Sequence, residues 1–157
     1  MPLIVERLKN KFQTGDRMYY LARKYKHDLD KIFTRRRGRL VPLSGLPLNE
    51  YFNIVKSLPY RQDIAPFEVV ARPRSIIANS MSGVDCKKKG VLMLSYLYNR
   101  FGNRIPARLV SVSTRPDRKI HHVLPQIKLN GRWQNLDATY SNYMPFQRKL
   151  VTAAEVL

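Results

Sequence analysis

Cys86, His122 and Asp137 are the residues whose types and order could carry covalent chemistry in this chain. A thiol attacks a carbonyl only as its thiolate, and proteins favour the thiolate with helix N-termini and neighbouring cations. An imidazole beside the sulfur stabilises that anion and later protonates a leaving group. A carboxylate behind the imidazole fixes its orientation. Each residue also has an ordinary reading. A cysteine on an apolar helix is commonly a core residue, a strand histidine a plain polar side chain, and an aspartate after a strand a turn residue. The order and spacing of the three argue for the chemical reading.

The elements that must position them can be read from periodicity. Ser82-Gly83-Val84-Asp85-Cys86 leads into a buried helix over residues 87–100, with Val91, Leu94, Ser95 and Tyr98 on one face and Gly102 at its end. Cys86 is therefore expected in the first turn of a core helix, where the macrodipole is positive. Lys87, Lys88 and Lys89 add full charges, although three consecutive lysines cannot all face the thiol. Residues 107–113 alternate as a strand, Arg115-Pro116-Asp117-Arg118 is a turn, and residues 121–129 form a second strand. Asn130-Gly131 is a hairpin turn, and residues 132–136 return as a third strand ending at Asp137. Alternation sends His122 to the face opposite His121 and Val123, so one of the adjacent histidines can point at the cysteine. Pro125 lacks a ladder donor and suggests an edge strand or a bulge. The aromatic residues around Met144-Pro145 are expected to wrap back on the sheet.

Upstream, Met18, Leu21, Ala22, Tyr25, Leu29, Ile32 and Phe33 make one apolar stripe, predicting a helix over 16–33 capped by Thr14 or Asp16. A basic turn follows at 34–39, where Arg35, Arg36, Arg37 and Arg39 could clamp phosphates or simply be solvated. Residues 48–58 read as a short helix, 60–66 as a loop, 67–70 as an extended piece, and 75–79 as another short helical turn.

The chain has 157 residues, one domain's worth, and 44% of them are hydrophobic, enough for a single core. One cysteine excludes an internal disulfide and a thiolate zinc site; His27, His121 and His122 have no ligand-like spacing, and no Gly-rich phosphate loop is present. No cofactor is expected. No apolar run is long enough for a membrane span, and the N-terminus does not read as a signal peptide. The net charge of +18 draws in polyanions: nucleic acid, or an anionic virion or wall component.

Gly83-Val84-Asp85-Cys86 before a helix, Ile105-Pro106-Ala107-Arg108, His122-Val123, Gly131-Arg132-Trp133 and Leu136-Asp137-Ala138-Thr139 together resemble the transglutaminase-like cysteine-enzyme superfamily over roughly residues 60–139. Tyr60-Arg61-Gln62-Asp63 and Arg72-Pro73-Arg74 look like the versions found in phage and prophage genes. The sequence departs from the superfamily's pattern at the inserted Val84, the lysines after Cys86, Leu124-Pro125 and Ala138. The resemblance implies an α+β papain-like domain over 48–157, preceded by a basic helical arm over 1–47. It implies Cys86 as nucleophile, His122 as base and Asp137 as orienting acid. The reaction would be acyl transfer or hydrolysis on a peptide or protein amide, in a cytoplasmic or virion-associated protein. The Cys86 backbone N–H is the generic candidate donor to the oxyanion, and the Gln62 side chain is a second candidate. The alternative is a basic virion or nucleic-acid-associated protein that keeps the fold without catalysis.

Overall fold

The structure, a computed structural model, describes residues 5–6, 11–62, 68–113, 122–139 and 153–156. Strand β1 (Val5–Glu6) precedes helix α1 (Lys11–Lys24), a 3-10 segment (Lys26–Lys31), and the hairpin β2 (Phe33–Arg36) and β3 (Arg39–Pro42). Helix α2 (Leu48–Ser57), strand β4 (Glu68–Val69), helix α3 (Pro73–Ala78) and helix α4 (Cys86–Phe101) come next. Strands β5 (Ala107–Ser113), β6 (His122–Leu129), β7 (Arg132–Asn135) and β8 (Ala153–Val156) complete the order. Helices and an antiparallel sheet with the order β7-β6-β5-β8 make a mixed α and β fold. No helix among the described residues is long and apolar enough to cross a membrane.

Helix α4 is the centre of the molecule. Every residue from Lys88 to Tyr98 is buried, as expected of a helix packed on several sides rather than on one stripe. Met18, Leu21 and Ala22 of α1, Tyr51, Phe52 and Val55 of α2, and Leu109, Val123 and Ile127 of the sheet share one core with it. Tyr51 stacks on Tyr96 with ring centroids 4.4 Å apart, and both hydroxyls donate to backbone carbonyls, of Leu92 and Leu46. Both phenols are thus buried with a partner, which removes the desolvation penalty of a lone hydroxyl. The other sheet face has its own buried cluster of Val110, Val112 and Leu124, in keeping with two-residue alternation along β5 and β6.

Residues 11–47, expected as an arm, contribute Met18, Leu21, Ala22, Leu29, Leu43 and Leu46 to that same core. The helix expected over 16–33 is shorter at its C-terminal end and begins earlier, at Lys11. Tyr25 leaves helical geometry (φ −112°, ψ 21°) and the chain tightens into the 3-10 segment. That turn carries Asp28 inward, where its carboxylate accepts from the Arg72 guanidinium at two oxygens and from the Arg74 backbone N–H. Local spacing does not register this distant partner, so the apolar stripe alone overestimates the helix. The basic turn at 34–39 is the tip of a two-stranded ribbon, with Arg37 and Gly38 both at positive φ (51° and 75°).

The second half follows its pattern closely. Asn130 and Gly131 sit at φ 51° and 74°, the geometry of a tight hairpin turn. Pro125, expected at an edge or bulge, instead lies in the inner strand β6, opposite Leu109 of β5. It is tolerated there because the β6–β7 ladder ends at Gln126 opposite Asn135, and the Pro125 carbonyl still accepts from Leu136 N–H at 2.9 Å. The expected turn at 115–118, His121, and the aromatic residues around Met144 lie outside the described residues, as does the end of the loop expected over 60–66.

Candidate active site

Cys86 is the first residue of α4, as expected. The turn that delivers it is tightly specified. Gly83 has φ 101°, and a Cβ there would lie 2.2 Å from Arg61 Cβ. Val84 N–H donates to Pro59 O at 2.7 Å, joining the 59–62 segment to the turn. Asp85 caps the helix: its Oδ1 accepts from Lys88 N–H at 3.0 Å. Cys86 is 9% exposed, so its surroundings are largely dry while the residue keeps some contact with solvent.

The three lysines after it are drawn into the structure rather than ringed around the sulfur. Lys87 Nζ lies 2.7 Å from Asp85 Oδ2. Lys88 is buried. Lys89 Nζ donates to the carbonyls of Lys56 and Ala138, at 3.1 and 3.3 Å. Burial lowers the pKa of Lys89, opposed by the nearby Asp137 charge and reinforced by Lys56. Lys89 was read from sequence only as part of a charge run. Its tie to the residue after Asp137 spans 49 positions and leaves no local trace.

His122 opens β6, opposite Val112 of β5. Asp137 follows β7 by two residues. Extending the β6–β7 register past its last pair sets Asp137 opposite Leu124 and diagonal to His122 on the same sheet face. The two side chains meet: His122 Nε2–H donates to Asp137 Oδ2 at 2.7 Å, with both residues 6% exposed. Asp137 Oδ1 accepts from Thr139 N–H at 2.9 Å, which fixes the carboxylate plane. The Cys86 thiol is near enough to the His122 ring to raise its pKa. With Nε2 committed to Asp137, Nδ1 is the remaining ring nitrogen. Residues separated in sequence by 36 and 15 positions thus come near one another: the carboxylate is bonded to the imidazole, and the thiol acts on the same ring.

The His122 pKa reflects opposed effects. Burial lowers it, but the hydrogen bonds to Asp137 and Cys86, with their charges, raise it further, to about 9. The ring is therefore an imidazolium near neutral pH, a donor from both nitrogens.

The motif residues around the site have structural work. Arg108 lies over the Trp133 ring at 3.9 Å, so the strand-entry arginine and the hairpin tryptophan pack on each other. Arg108 Nε also donates to Gln126 Oε1, and Gln126 Nε2 to Asn135 Oδ1, each at 2.8 Å. This polar ladder pins β5, β6 and β7 in one register. Gln62 is exposed, and among the described residues no hydrogen bond ties it to Cys86. The arginines at 35–39 divide: Arg36 makes a two-pronged bond to Glu50, at 2.7 and 3.0 Å, whereas Arg35, Arg37 and Arg39 are exposed. Comparison with protein-family models, curated proteins and solved structures finds no match to this chain.

Proposed function

We propose that this protein is a thiol-dependent acyl-transfer enzyme with a papain-like core, acting on a peptide or protein amide through Cys86, His122 and Asp137. The observation that supports the reading is the buried Asp137–His122 hydrogen bond, whose ring also responds to the Cys86 thiol at the first turn of a core helix. An isolated core cysteine has no need of an imidazole held by a buried carboxylate.

The steps follow from the donors and acceptors these three side chains would supply. The Cys86 thiolate adds to the amide carbonyl, and the C=O electron pair moves to oxygen. The Cys86 backbone N–H is a donor suited to that oxyanion, because the first N–H groups of a helix have no intrahelical acceptor. The tetrahedral carbon then reforms C=O and expels the amine, which takes the His122 Nδ1 proton. His122, now neutral, removes a proton from water or from an acceptor amine as it attacks the thioester. The C–S bond breaks and the thiolate returns beside the imidazolium. Water gives hydrolysis; an amine gives cross-linking.

The test is acylation of the protein by a p-nitrophenyl ester at pH 7, followed by intact-mass spectrometry. Wild type is expected to acquire one acyl group, absent in Cys86→Ser. In His122→Ala the rate is expected to fall on the order of 100-fold, at the lower end of the usual general acid–base contribution. Equal acylation of wild type and His122→Ala would mean that the thiol is not activated.

A further inference from the structure

We propose that the β2–β3 hairpin is a nucleic-acid-binding ribbon that enters the groove of a duplex, with Arg35, Arg37 and Arg39 meeting the phosphates; this stands apart from the thiol site. The hairpin has two distinct faces. Its inner side is anchored: Val41 packs against the core, and Arg36 is held by Glu50 of α2 in the two-pronged bond described above. Its outer side is free of such ties among the described residues. Phe33 is 57% and Leu40 64% exposed, and Arg35 shares their face, two residues from Phe33 and paired across the ribbon with Leu40. The tip is Arg37-Gly38, followed by the exposed Arg39, which pairs with Arg36 and so sits at the tip of the anchored side.

Composition and size favour nucleic acid. Residues 33–42 contain four arginines, no lysine and no acidic residue, in a chain of net charge +18. Arginine's planar fork matches phosphate oxygens and the guanine edge, which a lysine point charge does not. Four-residue strands span about 13 Å, and a two-stranded ribbon fits a major groove about 12 Å wide. Phe33 and Leu40 give apolar surface for sugars and thymine methyl groups. A lipid-inserting hairpin would lead with its apolar residues; here the leading end is cationic and Phe33 lies at the base.

The experiment is fluorescence anisotropy of a labelled 20-base-pair duplex titrated with the full chain at several salt concentrations. Beside wild type stand two variants that lose equal charge. One is Arg35→Gln/Arg37→Asn/Arg39→Gln, with asparagine chosen because it tolerates positive φ. The other is Arg74→Gln/Lys128→Gln/Arg132→Gln, at exposed cations elsewhere. The hairpin variant is expected to lower the slope of log K against log salt by about 3, at roughly 0.9 per phosphate contact, with the control near wild type. Equal losses in the two variants would reduce the effect to net charge and overturn the proposal, as would no wild-type binding. Vesicles containing phosphatidylserine form a second arm. Vesicle binding lost by the hairpin variant, with DNA binding intact, would assign the ribbon to membranes and also overturn it. If the triple variant does not fold, Arg37→Asn alone is expected to lower the slope by about 1; an unchanged slope counts against the ribbon.

Discussion

His122 concentrates the residue-scale physics, because one ring answers to burial, a carboxylate and a thiol together. A raised folded pKa means that the charged ring contributes stability fully below its unfolded value, about 6.5, and loses it as pH rises through about 9. Thermal melts of wild type are thus expected to show a loss of stability between pH 6.5 and 9 that is absent in His122→Gln; parallel pH profiles would mean that the folded ring titrates as in the unfolded chain. In the proposed reaction the same proton goes to the leaving amine, so kcat/KM should fall on an alkaline limb near pH 9. Lys89 is the second residue with a specific expectation. Lys89→Met keeps the length but leaves the Lys56 and Ala138 carbonyls without their charged donor. A cost of about 2 kcal/mol in denaturant unfolding is expected, and no measurable loss would mean that the ammonium contributes nothing net in its buried position.

At the scale of elements, two glycines make opposite demands on their neighbours. Gly83 combines a positive φ with backbone-proximal crowding by Arg61, so an added methyl has neither a conformation nor a space. Gly83→Ala is expected to cost about 3 kcal/mol or more and to shift the turn that delivers Cys86. A Cβ at Gly90, inside α4, would meet the far end of the Met18 side chain, Cε at 2.7 Å, with Leu109 Cδ2 at an ordinary 3.9 Å. There the helix propensity of alanine offsets the repacking, and Gly90→Ala should stay within about 1 kcal/mol of wild type. Urea titrations of the two variants check the contrast, and a Gly90→Ala cost as large as that of Gly83→Ala would show the α1–α4 contact to be rigid. The elements also differ in how far the sequence announced them. The helix from Cys86, the three meander strands and the Asn130-Gly131 turn are local patterns, and they sit within a residue or two of their expected bounds. The end of α1 is not marked by its spacing: the 3-10 segment that follows carries Asp28 to Arg72, 44 positions away.

Across the whole molecule, one core joins α1, α2, α4 and the sheet, while a charge of +18 pushes its surface apart. Self-repulsion of that size destabilises the compact state, and salt screens it over a Debye length of about 10 Å at 0.1 M. The melting temperature is accordingly expected to rise as NaCl increases from about 20 to about 200 mM, over which the screening length contracts. A fall would mean that part-buried pairs such as Arg36–Glu50 outweigh the repulsion.

The sequence by itself determined the local pieces: a helix with the only cysteine at or near its first turn, a hairpin turn requiring positive φ, and a two-residue alternation that sends His122 and Val123 to opposite faces. These depend on neighbours a few positions apart, whose geometry the backbone dictates. Tertiary structure alone decided that the His122 ring meets both Asp137 and Cys86, that Lys89 turns inward to the strand end, and that Arg36 is held while Arg35, Arg37 and Arg39 stay exposed. Such pairings depend on sheet register and helix packing, where many distant contacts act together and no stretch of chain contains the answer.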